Sequence, residues 1–499
     1  MGSSRAAAVP TTSRWRRGVR LVISVSLTCL VGCATNPVTG EREFVMMSEA
    51  QEIELGRESD AQVREQMGLY DDEALQQYVE QIGFEMAARS HRPDLPWSFA
   101  IVDSPVVNAF AIPGGFIYLT RGIMPYLDDE ADLAGVIGHE IGHVTARHTV
   151  QAYTRASGAQ LGLLVGGIFS PTARAVGGLA ETGLSVLFLR YGRDAELQAD
   201  RLGARYAADT GWDPTGVRDM LSTLSRLSEG TDRGVPNWLS THPEAADRVV
   251  RVEPILEQIA IEQDLGALRV NRDPYLERLD GLLFGDNPDQ GVVRGRDFLH
   301  PVLRFALRFP DGWNVINTST QVAAQHPDGD VFMVLQLVEN PTTGDLESLA
   351  VDNMRESGFR LETGATTLIN ALDAYVGTFL GETDQSANTE PPAARVAFID
   401  HGDSIYLVGG LAQAQAYDQV EDDFTETIRS FRSLSAADAE DIRPNRIQLY
   451  DVRSRETWES IAERAGQGIV PATTLAIMNG VSADEQPRAG DRIKIVVEG

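Results

Sequence analysis

The run LAGVIGHEIGHVTARHTV, Leu133 to Val150, decides how the rest of the chain is read. Its histidines His139 and His143 stand four residues apart. On a helix both rings project from one face about a turn apart, so two imidazole nitrogens meet where a tetrahedral Zn²⁺ can take both. Glu140 follows His139 directly and lies beside such a metal rather than on it, placed to take a proton from a water the metal has acidified. His148 is nine residues past His139 and five past His143. On one continuous helix that spacing turns it off the metal face, and it reads as structural. A buried helix with two satisfied histidines is the alternative, so the decision passes to the rest of the chain.

Two histidines leave a zinc centre short of a third protein ligand, and a catalyst keeps a fourth position open to water. The best candidate is Glu196, in Arg193-Asp194-Ala195-Glu196-Leu197-Gln198-Ala199-Asp200. This stretch reads as a helix with Glu196 and Asp200 on one face, one to bind the metal and one to hold a ligand histidine from behind. A solvated acidic face is the alternative in so acidic a chain, whose 499 residues carry a formal net charge of −29. Such a surface argues against nucleic acid as a partner.

The N-terminus has its own character. Arg14, Arg16, Arg17 and Arg20 precede an apolar run from Leu21 to Val31, a secretory signal too short for a stable membrane span. Its end, Leu30-Val31-Gly32-Cys33, resembles a bacterial lipobox, which implies removal of residues 1–32 and lipid on Cys33. Ala34 after the cysteine, with no aspartate, implies the outer membrane and a periplasmic location by the same resemblance. Cys29 leaves with the signal, so neither a cysteine zinc ligand nor a cysteine nucleophile remains.

Along the chain, Asn36 to Gly40 reads as a turn-rich tether. Helical spacing follows over Ser48 to Met67 and Asp72 to Ser90, then strands over Trp97 to Val102, Val106 to Ile112 and Phe116 to Thr120. Ser157 to Leu189, apolar and Gly-rich, reads as a helical hairpin packed on the centre or grazing the membrane. Helices over Tyr191 to Thr210, Pro214 to Ser228 and Pro243 to Ile259 close a domain spanning 33–263. Residues 264–297 read as a connecting segment, and 298–435 as a small α+β domain, with strands over Leu303 to Phe309, Val331 to Val338 and Ile405 to Leu411 and a helix near Leu346 to Ser357.

With these residues in hand, His139-Glu-Ile-Gly-His143 followed by Glu196-x-x-Ala-Asp200 resembles the zinc peptidases that include the CAAX prenyl endopeptidases, HtpX and the BepA-type proteases. Val107-Asn108-Ala109-Phe110-Ala111-Ile112-Pro113-Gly114-Gly115 looks like that family's edge strand, and Thr241-His242-Pro243 with Arg248 like its T-H-P-x-x-x-x-R segment. The opening Asn36-Pro37-Val38-Thr39-Gly40 is typical of its bacterial lipoproteins. The resemblance implies a gluzincin-like core, helix-rich with a small sheet, holding one Zn²⁺ per chain on His139, His143 and Glu196. It implies Glu140 as general base, Asp200 as an orienting carboxylate, and His242 as a fourth, regulatory ligand, with oxyanion stabilisation or simple packing as the alternatives for His242. Arg248 is a candidate for oxyanion stabilisation, with a structural ion pair as its alternative. Asn108, Ala109, Phe110 and Ala111 offer an edge for an extended substrate.

Residues 445–499 order as strand, helix, helix, strand, and this βααβ pattern resembles a LysM domain, implying peptidoglycan as a partner. Where that family has a Gly-Asp-Thr-Leu turn, this chain has Arg455-Glu456-Thr457-Trp458. The expectation is an α+β multidomain, outer-membrane lipoprotein peptidase facing the periplasm, with unfolded or misassembled envelope proteins as substrates. The alternative is a latent protease serving as a peptidoglycan-tethered chaperone or scaffold.

Overall fold

The computed structural model describes residues 33–45, 47–154, 191–230, 238, 241–262, 266–318, 321–329, 331–338, 345–381 and 391–499. The signal segment 1–32 and the hairpin expected over 157–189 lie outside the described residues. Among the described residues no helix is long and apolar enough to cross a membrane.

The chain enters as an antiparallel pair, β1 (Cys33–Thr35) and β2 (Arg42–Phe44). The stretch between them is a packed turn rather than a loose tether. Asn36 Oδ1 accepts from the amides of Val38 and Thr39 at 2.8 and 3.2 Å, and its Nδ2 donates to the Ala146 carbonyl at 3.1 Å. Helix α1 (Glu49–Met67) starts at a Ser48–Gln51 capping box, and α2 (Glu73–Ala87) at an Asp72 cap. Strands β3 (Ser98–Val102), β4 (Ala109–Ile112) and β5 (Phe116–Thr120) form a sheet of order β3-β5-β4. Pro113-Gly114-Gly115 turns β4 into β5. Gly114 sits at φ +86°, and a Cβ there would come 2.9 Å from the Ile53 backbone, so only glycine fits.

The motif helix is α3 (Glu130–Thr145), buried along its whole length. Against it lies α4 (Arg193–Asp209), followed by α5 (Gly216–Gly230), α6 (Ala245–Glu262) and α7 (Arg272–Leu279). Helices α3 and α4 meet backbone to backbone. A Cβ on Gly203 would fall 2.7 Å from the His139 amide nitrogen, and one on Gly142 would fall 2.9 Å from the Ala199 carbonyl. Glycine at both crossing points is what lets Glu196 reach the histidines.

Of the segment 264–297, expected to be a connector, residues 272–284 pack into this core. Tyr275, Leu276 and Leu279 of α7 are fully buried in it, and Leu283 of β6 (Leu283–Phe284) joins them. Elements of two to eight residues are too short for periodicity to show, which is why the sequence pattern looked weak.

The middle unit begins with β7 (Val292–Arg294), β8 (Asp297–His300) and β9 (Phe305–Arg308). It continues through β10 (Asn314–Asn317), β11 (Gln321–Gln325), β12 (Phe332–Leu337), α8 (Leu346–Glu356), β13 (Phe359–Ile369), β14 (Leu372–Gly381), β15 (Ala393–His401), β16 (Ser404–Ala412) and α9 (Ala414–Ser430). Seven of these strands form an antiparallel sheet of order β10-β11-β12-β16-β15-β14-β13. Helices α8 and α9 pack against two separate apolar clusters of it. The sequence reading missed β13 because the strand is exposed along most of its length and rich in Thr, Gly and Ala.

The C-terminal residues form β17 (Arg432–Ser433), a short helix α10 (Ala436–Glu440), β18 (Asn445–Asp451), α11 (Trp458–Arg464), α12 (Ala472–Met478) and β19 (Arg492–Glu498). The last four elements give the order βααβ, and they do not stand apart. Strand β18 pairs with β6, and Trp458, Ile461, Leu475, Ile477 and Ile495 share one apolar core with the motif helix. Buried Lys494 donates from Nζ to the Leu127 carbonyl at 2.5 Å and lies 3.7 Å from Asp128 Oδ1, just ahead of α3.

That helix start carries a pH-dependent cost. Asp129 caps α3 by accepting from the Asp132 amide. Burial, with Asp128 adding, raises its carboxyl to about 6. A carboxyl raised above its unfolded value costs nothing below that unfolded value, and its cost grows as pH rises through 6. Asp129→Asn keeps a capping acceptor and removes the charge. It should stabilise the fold at pH 7.5 by on the order of 1–3 kcal/mol, read as a higher thermal midpoint, and the gain should vanish by about pH 4. Equal midpoints at pH 7.5 in a calorimeter would refute the buried-charge account.

Candidate metal centre

Helix α3 delivers His139, Glu140 and His143. Helix α4 delivers Glu196 and Asp200, held close by the glycine crossing, and His242 and Arg248 come from the start of α6 and the residues before it. All seven are buried. Four of them, His139, His143, Glu196 and His242, bring their donor atoms within 4.8 Å of one another. His139 Nε2 is 3.0 Å from His143 Nε2 and 3.2 Å from His242 Nδ1. Glu196 Oε1 is 3.1 Å from His242 Nδ1 and 3.5 Å from His143 Nε2. Donors about 2.0–2.1 Å from a tetrahedral zinc stand about 3.3 Å apart, so the set fits such an ion. Charge agrees: counted as ionised, Glu140, Glu196 and Asp200 outnumber Arg248 by two, the balance a divalent cation supplies.

Behind the donors lies a clamp. Asp200 Oδ1 is 2.9 Å from His139 Nδ1 and accepts its proton, which turns Nε2 toward the centre. Arg248 grips Asp200 with both edges, Nε to Oδ2 at 2.9 Å and Nη2 to Oδ1 at 2.6 Å, and sets Nη1 2.6 Å from Glu196 Oε2. Burial alone would raise the Asp200 carboxyl; the Arg248 guanidinium outweighs it and holds the group well below the usual carboxylate range. A guanidinium so engaged accords with the ion-pair alternative for Arg248.

Glu140 stands differently. Neither of its buried oxygens accepts a hydrogen bond among the described residues, and the nearest cationic partner, His242 Nε2, is 3.5 Å away. Burial raises its pKa, and the neighbouring His242 and His139 only partly offset that. A base held without a partner is free to take a proton. Burial also lowers the pKa of His143 far enough to keep it neutral, with the other histidines adding to the effect.

Sequence reasoning missed two aromatic walls. Tyr191 stacks on His143 with ring centroids 4.0 Å apart, and Trp238 stacks on His242 at 4.8 Å while lying 5.0 Å under Arg248. Trp238 stands one helical turn before His242, and its carbonyl accepts the His242 amide at 2.7 Å; that spacing was the available signal. His148 is a correction. The expectation that it turns away assumed an unbroken helix, but Arg147 adopts φ +58° and breaks the phase. His148 therefore swings back, with Nδ1 3.1 Å from His143 Nδ1. Of the expected edge, β4 pairs with β5 alone among the described strands, Asn108 just precedes it, and Ala109, Phe110 and Ala111 are buried. The Val107 carbonyl is taken by the Trp238 amide at 3.2 Å.

Four convergent donors with a free carboxylate beside them make a centre of the kind that supports metal-assisted hydrolysis. Residues 73–255 match Peptidase family M48, so this stretch is similar to the peptidase domain of that family. The mitochondrial metalloendopeptidase OMA1 of Arabidopsis thaliana is 31% identical over 212 residues, 41% of this chain and 42% of that one. The beta-barrel assembly-enhancing protease of Escherichia coli K12 is 28% identical over 241 residues, 45% and 49% of the two chains. The putative beta-barrel assembly-enhancing protease of Vibrio cholerae is 26% identical over 242 residues, 46% and 50%. The chain thus spans about half the length of the curated relatives it matches.

The clamp is testable without activity. Arg248→Met leaves Asp200 and Glu196 buried without their cation, which should cost about 3–5 kcal/mol and reduce the metal retained. Calorimetry with metal analysis decides it; an unchanged midpoint and an unchanged metal content would refute the clamp.

Proposed function

We propose that this chain is a zinc-dependent endopeptidase of the bacterial cell envelope that degrades misfolded or misassembled envelope proteins. The observation that carries the catalytic reading is the unpartnered Glu140 carboxylate beside the four convergent donors. When bound, the metal supplies Lewis acidity toward a peptide carbonyl and lowers the pKa of water. Glu140 takes the proton of the attacking water and returns it to the leaving amine. His139, His143 and Glu196 hold the metal, while Asp200 and Arg248 orient them. Substrate adds as an extended strand along the edge from Asn108 to Ala111.

The centre is closed in the state described. His242 puts Nδ1 among the donors and Nε2 toward Glu140, and the Trp238 amide occupies the Val107 carbonyl at the start of the edge strand. Opening therefore displaces Trp238 and His242, and frees the fourth position and the edge together. This closure favours a second reading, a protease latent in its resting state that serves as a chaperone or scaffold. The relatives named as beta-barrel assembly-enhancing proteases support an envelope role. The lipobox-like end at Cys33 supports an outer-membrane anchor facing the periplasm, and the βααβ order of residues 445–499 supports contact with peptidoglycan.

Casein cleavage and zinc content of residues 34–499 test the catalytic reading. Glu140→Gln should keep its zinc and lose activity by about 10²–10⁴-fold, and His242→Ala should cleave faster than wild type. If all three proteins hold zinc and none cleaves, the scaffold reading replaces the peptidase. The anchor is separate: Cys33→Ser should leave the protein unlipidated and free of the membrane, and its retention there would count against a lipid anchor.

A further inference from the structure

The two ligand histidines on α3 are backed by different partners. His139 leans on a carboxylate clamped by an arginine. His143 leans on His148, Nδ1 to Nδ1 at 3.1 Å, and His148 Nε2 lies 3.0 Å from Gln198 Oε1. Gln198 sits on α4 between Glu196 and Asp200, so one helix carries a ligand and the support of both histidines.

We propose that His148 and Gln198 form a positioning relay that sets the tautomer and ring plane of His143 for metal binding; the proposal rests on the metal-site reading above. The direction of each hydrogen bond follows from the ligand. A metal on His143 Nε2 needs the lone pair there, so the ring proton sits on Nδ1. That proton must be donated, and the atom facing it is His148 Nδ1, which must therefore be the acceptor. The proton of His148 then sits on Nε2 and requires an acceptor of its own, and Gln198 presents its carbonyl oxygen there. Reversing any one bond would put a proton on His143 Nε2, which faces His139 Nε2 at 3.0 Å.

A neutral relay also suits the charge of the site. Glu140, Glu196 and Asp200 already leave two negative charges beyond Arg248 for a divalent cation to balance, and a carboxylate in place of His148 would add a third. His148 reaches this place only because Arg147 breaks the helix at φ +58°. On an unbroken helix five residues would carry it about 140° away from His143.

The test is metal affinity. Zinc is titrated into the full-length chain against a chromophoric chelator for wild type, His148→Leu, His148→Asn and Gln198→Leu, with the metal-free thermal midpoint and the Co²⁺ absorption spectrum of each. His148→Leu, which removes the acceptor, should weaken zinc binding by about 10–100-fold and alter the Co²⁺ spectrum. His148→Asn, which puts a carbonyl near the place of Nδ1, should recover most of that loss, and Gln198→Leu should show a smaller loss in the same direction. Wild-type affinity in His148→Leu would overturn the relay. So would equal losses in His148→Leu and His148→Asn that follow their metal-free midpoints, because packing alone would then explain them. A wild-type chain that takes no zinc gives a different result, since it removes the metal centre itself.

Discussion

The backbone contact between α3 and α4 is the constraint on which the centre depends. Helices with ordinary side chains at the crossing keep their axes about 8–10 Å apart. Here Gly142 and Gly203 let the backbones approach, and a Cβ on Gly203 would fall 2.7 Å from the His139 amide nitrogen. That approach puts Glu196 within reach of two histidine nitrogens and Asp200 behind one of them. The glycine inside His139-Glu140-Ile141-Gly142-His143 thus belongs to the site as surely as the donor side chains.

Everything at the centre is dry, and dryness raises the stakes of each polar contact. A buried carboxylate without a partner is costly; Glu196 and Asp200 share one guanidinium, while neither Glu140 oxygen accepts a hydrogen bond among the described residues. The same dryness describes a closed state. His242 and Trp238 lie beside the other donors, stacked on one another, and the Trp238 amide is tied to the loop ahead of β4.

The ends of the motif helix are held by the two ends of the chain. At its C-terminus the Ala146 carbonyl, which no further helical turn satisfies, accepts from the Asn36 side chain, and the Val144 carbonyl accepts from Arg92. At its N-terminus the C-terminal βααβ module packs into the same core and sets Lys494 beside Leu127 and Asp128. Residues read as an outer tether and as a separate module are parts of the frame around one helix.

The sequence by itself determined the donors. Two histidines at i, i+4 and two carboxylates at i, i+4 are set by helical geometry, which is local and therefore visible in spacing. The tertiary structure decided what surrounds them. Arg248 became a clamp because α6 delivers it behind Asp200, and His148 became a partner of His143 because one left-handed residue resets the helix. Residues 272–284 and 445–499 joined the core of the motif helix because their short elements gain stability only by burial against it. These outcomes rest on contacts between residues far apart in the chain and on a single backbone angle, and neither leaves a periodic trace in the sequence.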